Sequence, residues 1–200
     1  MKSMLRKVAR GGRYALAKFA GLLLRVVWPQ CMSGGRAHDP IMVFGAGFRQ
    51  KLLLRNGHVS WPVHRTMGVK APGRIQRRSR TPGLAADCCL DGRNGIILES
   101  NWWIGPHVAL LLMKHDSSNY EKYFPADSIR MDQDCWRGQG GTVLASVHLG
   151  PHTVVGAGAV VTKSFPSGNQ LIEGNPAYFI KHLPPYEKGN LTGREGLLWH

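Results

Sequence analysis

The feature that most constrains this chain is a six-residue repeat of apolar residues in its C-terminal half. Counting every sixth residue from position 131 gives Met131, Arg137, Val143, Leu149, Val155 and Val161, five of them apolar. A shorter run with the same period precedes it at Leu98, Ile104 and Leu110. Six is a multiple of the strand period of two but not of the helical 3.6, so the repeat cannot mark one face of an α-helix.

The residues around each repeat position indicate short strands that stack on one another. A second small or aliphatic residue stands two places earlier, and glycine often follows directly, as at Gly150 and Gly156. We expect each strand to turn its aliphatic residues inward, and each of these glycines to form a sharp bend through a positive φ. Stacked coils of this kind bury a continuous aliphatic column that no single repeat could bury alone.

Short motifs near the C-terminal end are more specific than the periodicity. The chain reads VGAGAVVTK at 155–163 and GNPA at 174–177, and two near copies of an NVWIG motif lie at 101–105 and 134–138. These segments resemble those of the hexapeptide-repeat acyltransferases, nearest the branch that O-acetylates polysaccharides and galactosides. The resemblance implies an all-β fold, a left-handed parallel β-helix of hexapeptide repeats with an N-terminal helical extension and an excursion loop.

The resemblance also divides the chain. It implies a basic helical or extended segment at 1–57, an acyltransferase domain at 58–182 and a C-terminal tail at 183–200.

Several residues depart from the family pattern. Arg137 takes an inward aliphatic position, where a lone buried guanidinium is costly, so we expect it to reach a carboxylate or solvent and to distort the coils near it. The residues in place of bend glycines or of the aliphatic-glycine pair are Glu99, Asp132, Leu144 and Gln76–Arg77.

Between the two runs the period breaks, which predicts a loop that leaves the coils. Leu110 and Met131 are 21 residues apart, and 21 is not a multiple of six. The family carries its catalytic histidine at the mouth of this excursion, and His115 matches that place. A neutral imidazole, with a pKa of about 6.5, can take a proton from an acceptor hydroxyl. The resemblance therefore implies His115 as general base, with Asn94 and Asp116 as candidate acceptor-binding residues.

The donor that the resemblance implies is acetyl-CoA or another acyl-CoA, bound as a substrate, with no permanent cofactor and no metal. The positions that match the family's CoA-lining residues are Gln139, Ala157, Thr162, Lys163 and Lys181. The resemblance further implies a homotrimer and a hydroxyl acceptor such as a sugar or surface glycan. His107, His148 and His152 are interpreted as solvated, and no arrangement of residues points to a nucleophilic serine or cysteine.

The charge of the chain is divided unevenly. The net formal charge is +14, yet residues 1–86 hold 17 basic residues and a single acid, Asp39. Gly11–Gly12 and Pro29 predict a helix over about 13–27 with apolar residues on one face. Such a basic amphipathic helix could pack on its own domain or a neighbouring subunit, lie on an anionic membrane, or be a signal peptide. Packing against the protein is the favoured interpretation. The alternative is peripheral membrane contact through residues 1–28, with the protein in the cytoplasm at the inner membrane face.

Two further hypotheses about function stay open. The basic run RIQRRSR at 74–80 could bind nucleic acid, but it has no interleaved aromatic residues for stacking. A degenerate β-helix that serves as a scaffold or an anion-binding module would also account for the irregular hexads. The cysteines Cys31, Cys88, Cys89 and Cys135 do not form a disulfide or zinc pattern, and we expect free thiols in a reducing compartment.

Overall fold

A computed structural model describes residues 2–28, 39–78, 82–112, 114–124 and 126–187. The side chains of residues 2–10, Lys114 and His115 fall outside this description, as do Cys31, the end of the basic run at 79–80 and most of the predicted C-terminal tail.

Two helices precede a long series of short strands. The helices are α1 (Lys2–Val27) and α2 (Pro40–Leu52), and a 3₁₀ turn spans Pro72–Arg74. The first strands are β1 (Gly68–Lys70), β2 (Ile75–Arg77), β3 (Cys89–Asp91), β4 (Ile96–Leu98), β5 (Trp103–Ile104), β6 (Ala109–Leu111), β7 (Lys114–His115) and β8 (Tyr123–Phe124). The remaining strands are β9 (Ile129–Met131), β10 (Trp136–Arg137), β11 (Thr142–Leu144), β12 (His148–Leu149), β13 (Thr153–Val155), β14 (Val160–Val161), β15 (Gln170–Gly174) and β16 (Ala177–His182).

The strands form three parallel sheets that the chain visits in turn, which makes a three-sided parallel β-helix. Sheet A has the order β1-β3-β6-β11-β14 and sheet B has the order β2-β4-β9-β12. Sheet C has the order β5-β10-β13-β15, and β16 closes it as an antiparallel strand. The predicted strands and their hexad register are confirmed, because equivalent repeat positions pair directly, as Leu110 does with Val143 and Leu149 with Met131.

The repeat positions point inward and form the core. Leu98, Leu110, Met131, Val143 and Leu149 are almost completely buried, and they belong to one continuous cluster with the other inward residues. Because each sheet contributes an inward column, the core runs along the whole stack. This column is what no single coil could form by itself.

Arg137 lies in this core, and the expectation that it would reach a carboxylate or solvent is wrong. Its side chain is fully buried; Nη1 contacts the sulfur of Met131, while Nε and Nη2 have no hydrogen-bond partner among the described residues. Burial lowers the pKa of Arg137 to about 10. The coil around it is nevertheless regular, since Arg137 pairs in register with Ile104 and Val155. The expected distortion is therefore absent from the backbone register.

The bends are built differently from the prediction. The glycines that directly follow the repeat positions do not adopt a positive φ; the left-handed residue comes two places later, at His107, Gly140, His152 and Gly158. Glycine is needed for close approach instead, because a Cβ on Gly138 would lie 2.8 Å from the backbone nitrogen of Ala157. Asn101 and Asp134 take the left-handed position in other bends, as short polar side chains tolerate it better than most residues.

The N-terminal helix is longer than predicted. It ends at Val27 as expected, but it runs through Gly11–Gly12 and begins at Lys2. Two glycines cost a helix about 2 kcal/mol relative to alanine, which weakens a helix of this length without breaking it. Trp28 and Leu24 join the core cluster, so the helical segment covers one end of the stack. Among the described helices, none is long and apolar enough to cross a membrane.

Candidate active site

The predicted excursion forms a small antiparallel hairpin outside the three sheets. The chain leaves sheet A after β6, and β7 pairs with β8 before sheet B resumes at β9. The backbone of His115 lies in β7, directly opposite Tyr123. The side chain of His115 falls outside the described part of the structure, so its role as general base stays a prediction.

Asn94, in the preceding coil, holds the base of the excursion. Its side-chain amide donates a hydrogen bond of 2.8 Å to the carbonyl oxygen of Leu112, where the excursion begins. Asn94 was a candidate for acceptor binding, and in the structure its amide nitrogen is engaged by the protein itself. Asn94 can therefore help to fix the position from which β7 departs.

Arg93 links the other arm of the excursion to sheet A. Its guanidinium makes a bidentate contact with Asp91, with Nη2 at 2.6 Å from Oδ2 and Nε at 2.9 Å from Oδ1. These hydrogen bonds hold the pKa of Asp91 below its ordinary value, and Asp91, followed by Tyr123, raises the pKa of Arg93. The chain of contacts from Asp91 through Arg93 to Tyr123 ends opposite His115. Sequence reasoning missed it, because Arg93 and Tyr123 are 30 residues apart and no spacing rule joins them.

Asp116 shapes the turn of the excursion. Its Oδ1 accepts hydrogen bonds of 2.7 Å from the backbone nitrogen of Ser118 and 2.5 Å from the Ser118 hydroxyl. The bond from the Ser118 hydroxyl is the main cause of a lowered pKa of Asp116. Of the two candidate acceptor-binding residues, Asp116 thus serves the local geometry of the turn just after His115.

Four of the five candidate CoA-binding residues lie at the two edges of sheet A. Gln139 and Ala157 stand at the bends that lead into β11 and β14, and those bends stack, with Gly158 donating to the carbonyl of Gln139 at 2.8 Å. Thr162 and Lys163 directly follow β14. All four are exposed. Lys181 is separate from them, on β16 in sheet C.

The outer face of sheet A has two rows of side chains. The row at the ends of its strands carries Lys70, Asp91, Leu111 and Leu144, and the row at the starts of its strands carries small residues and one valine. The register places them in one row across the strands: Gly68, Cys89, Ala109, Thr142 and Val160. Strand backbone groups pair with neighbouring strands, so polar backbone groups available to a ligand are at the bends. An extended ligand with an anionic end could lie across this face, because Lys163 stands at its edge.

A histidine–aspartate pair lies on sheet B and corrects the interpretation of His148 as merely solvated. Nε2 of His148 lies 2.9 Å from Oδ2 of Asp132, and Arg130 donates to the other carboxylate oxygen at 2.9 Å. Burial alone would raise the pKa of Asp132, but the hydrogen bonds from His148 and Arg130 outweigh it and lower that pKa. His148 is therefore a second candidate base, and it has a carboxylate partner. No sequence rule pointed to it, since Asp132 was noted only as a replacement for a bend glycine.

The described thiols do not offer a nucleophile. Cys88, Cys89 and Cys135 are free, and burial raises the pKa of each, to about 11 for Cys135. They are therefore protonated at neutral pH. Within the described ranges, His, Cys, Asp and Glu form no group of three or more that could hold a metal ion.

Comparisons with known proteins support this account of the fold. No protein-family model matches the chain. The Putative acetyltransferase C18B11.09c of Schizosaccharomyces pombe is 36% identical over 94 residues, which is 44% of this chain. The chain spans about 44% of that relative's length.

Solved structures of AntD, an N-acyltransferase from Bacillus cereus, resemble the chain over 61% of its length. The complex with dTDP and 3-hydroxybutyryl-CoA is 16% identical, covers 61% of this chain and 79% of AntD, and has a TM-score of 0.52. A point variant of AntD in complex with dTDP-4-amino-4,6-dideoxyglucose and coenzyme A gives a TM-score of 0.50, at 16% identity over 61% of this chain and 80% of AntD. The fold is that of the hexapeptide-repeat acyltransferases. The hexapeptide-repeat β-helix expected from the motifs is thereby confirmed as the fold class, and the hairpin that carries His115 is an insertion between its sheets A and B.

Proposed function

We propose that this protein transfers an acyl group, acetyl in the simplest case, from acyl-CoA to a hydroxyl of an acceptor, with His115 as general base. The observation that carries the proposal is the position of the excursion. The backbone of His115 leaves sheet A at the same corner at which Thr162 and Lys163 leave it two strands further along. The AntD complexes with CoA ligands support acyl-CoA as the donor.

The reaction is a direct transfer in a ternary complex. Neutral His115 takes the proton from the acceptor hydroxyl, and the oxygen attacks the thioester carbonyl. A backbone N–H stabilises the negative charge that develops on that carbonyl oxygen. When the carbon–sulfur bond breaks, protonated His115 gives its proton to the departing sulfur, so CoA leaves as the thiol. Arg93 and Asn94 act as positioning residues, because they tie the two arms of the hairpin to the preceding coil. Lys163 neutralises charge at the anionic end of CoA.

The acceptor we propose is a sugar or surface glycan. A structure of AntD contains a nucleotide-linked amino sugar, and this supports a sugar as the class of acceptor for a protein of this fold. The basic N-terminal segment favours an acceptor made in the cytoplasm at the inner membrane face. The scaffold hypothesis rested on irregular hexads, and the regular register around Arg137 removes that support.

The decisive experiment compares His115→Ala with the wild type. We expect turnover to fall by about a hundredfold to ten-thousandfold, the usual contribution of a positioned general base. CoA binding, measured by calorimetry, should stay nearly unchanged. Wild-type activity should rise with pH through a group near pH 6–7, because only neutral imidazole accepts the proton. Released CoA thiol, followed over a panel of hydroxyl and amino sugars, gives the rates.

Two matched variants make the result interpretable. His148→Gln removes the histidine that pairs with Asp132 on sheet B and should keep wild-type turnover. Lys163→Ala should raise the KM for acyl-CoA and spare turnover at saturation. Full turnover in His115→Ala with any accepted acceptor would contradict the catalytic assignment. Loss in His148→Gln alone would transfer the role of base to the pair on sheet B.

A further inference from the structure

The two N-terminal helices form one unit, here called the helical hairpin (residues 11–28 and 39–55). The helices are neighbours at Gly21, where an added Cβ would lie 3.9 Å from Cβ of Pro40, at van der Waals distance. Within the hairpin, the ring of Trp28 packs beside Gly47 of α2 and would clash with a Cβ at that position. The hairpin packs on the β-helix through Leu24, Trp28 and Val43, which belong to the core cluster. The hairpin therefore has an inner side, fixed by these contacts, and an outer side.

The outer side of the hairpin is apolar and exposed. On α1 the side chains of Phe19, Leu22 and Val26 are 59–77% exposed and recur at helical spacing, opposite the buried Ala20 and Leu24. On α2 the same holds for Phe48 and Leu52, at 55% and 67%. Eleven of the twenty large exposed hydrophobic side chains in the described part of the chain lie in this hairpin. Soluble surfaces scatter such residues, so this concentration marks an interaction surface.

The charges beside that surface all have one sign. The basic residues of the hairpin with described side chains are Arg13, Lys18, Arg25, Arg49, Lys51 and Arg55. The lone acid of residues 1–86, Asp39, is already engaged: it caps α2 by accepting from the nitrogen of Ile41 at 2.9 Å, and it pairs with Arg13 at 3.2 Å. The hairpin thus presents positive charge and apolar side chains together.

We propose that the outer side of the helical hairpin binds an anionic lipid bilayer, with α1 and α2 lying in the interface. The apolar side chains enter the acyl boundary, and Lys18, Arg25 and Lys51 meet the headgroup phosphates. A second copy of the chain fits this surface poorly, because two hairpins of the same positive charge would repel each other. The sequence placed possible membrane contact in residues 1–28 only, and the proposal extends that contact to α2. It is independent of His115, so it can fail while acyl transfer stands.

The test is co-sedimentation of the full chain with vesicles of phosphatidylcholine alone, or with one third phosphatidylglycerol. We expect binding to the anionic vesicles, and a loss of most of it at about 0.5 M salt, where screening acts within a few ångströms. Phe19→Ser/Phe48→Ser should weaken binding by at least about tenfold, since each phenylalanine loses its apolar burial. Lys18→Gln/Lys51→Gln should weaken it by about tenfold or more at low salt only.

The matched control is Phe179→Ser, which removes a phenylalanine 43% exposed on β16, away from the hairpin. It should bind vesicles as the wild type does. Circular dichroism checks that each variant keeps its helices. Equal binding to neutral and anionic vesicles, or undiminished binding by both double variants, would overturn the proposal. An absence of vesicle binding would also overturn the proposal. In that case light scattering shows whether a second copy of the chain covers the outer side of the hairpin, because Phe19→Ser/Phe48→Ser would then dissociate the complex of the two copies.

Discussion

At the scale of single residues, Arg137 is the most unusual member of the core. It occupies the same inward column as Ile104 and Val155, where every physical argument favours an aliphatic side chain. The sequence predicted the position, because the period of six runs straight through it. It could not predict the surroundings, because the absence of a described carboxylate partner for Arg137 depends on which side chains three sheets bring together.

We expect Arg137→Met to stabilise the protein. The variant removes a desolvated charge and leaves a side chain that fills much of the same space, so the free energy of unfolding should rise by about 1–4 kcal/mol at pH 7. Urea unfolding followed by circular dichroism measures the change. Ile104→Met is the control in the same column and should alter stability by less than about 1.5 kcal/mol. A lower urea midpoint for Arg137→Met than for the wild type would contradict the prediction that the buried charge of Arg137 is uncompensated.

The free energy of unfolding that Arg137→Met gains over the wild type should also depend on pH. Burial lowers the pKa of Arg137 to about 10 in the folded protein, so above pH 10 the unfolded chain binds this proton more tightly than the folded chain does. The wild type consequently gains stability relative to Arg137→Met as pH rises through 10. The difference between their unfolding free energies should be constant from pH 7 to 9 and should narrow by pH 11.

At the scale of elements, the excursion is an insertion that leaves the coils in register. Leu110 and Met131 are 21 residues apart, fifteen more than the six that separate Val143 from Leu149. Removal of residues 113–127 would restore the spacing of six and would bring Ser128 to the place that Ser146 takes in the next coil. The break in period predicted this loop from the sequence alone. Its contacts with Asn94 and Arg93 could not be predicted, because they join residues that only the stacking of coils makes neighbours.

We expect a variant that lacks residues 113–127 to fold and to bind CoA, but not to transfer acyl groups. Its β-helix core keeps every inward residue, so its thermal midpoint should stay within a few degrees of the wild type. Calorimetry with CoA and the thiol-release assay measure the two activities. Substitution of Asn94 by Ala is the milder counterpart, and turnover should fall while the KM for acyl-CoA holds. An unfolded deletion variant would mean that the excursion supports the core.

Among the elements, the helices were the least predictable. The helix over 13–27 was predicted, yet α1 continues through Gly11–Gly12, because a long helix tolerates two glycines that would prevent a short one. The periodicity of the sequence does not predict α2, although Asp39 followed by Pro40 is a sound start signal. Its stability depends on Gly47 and Gln50 packing against Trp28 and residues 59–63, and this packing is invisible in a local pattern.

At the scale of the whole molecule, sheet C presents an apolar outer row. The register aligns Trp103, Trp136, Val154 and Leu171, and the two tryptophans are 41% and 53% exposed. Flat sheet faces of this kind pack well against a second subunit. This row is the surface that would support the homotrimer implied by the motifs.

We expect light scattering coupled to size exclusion to give about three times 22.1 kDa. Trp136→Glu should shift the mass towards that of one chain, because it buries a charge between subunits. Tyr120→Glu introduces the same charge at a side chain 77% exposed on the excursion and should leave the assembly intact. A single-chain mass at micromolar concentration, with normal CoA affinity, would contradict the trimer.

The antiparallel strand β16 affects whether one β-helix can associate end to end with another copy of the chain. A stack of parallel coils ends in open backbone, and open strand edges invite the next chain to continue the ladder. Here sheet C ends on a strand that runs the other way, with an irregular register at Leu171–Ile172, while Trp28 and Leu24 cover the opposite end of the core. Sheet C therefore offers a second column no parallel edge to continue at the end that β16 closes. We expect this edge to disfavour end-to-end growth into fibres when the protein is concentrated at a surface or in an assembly.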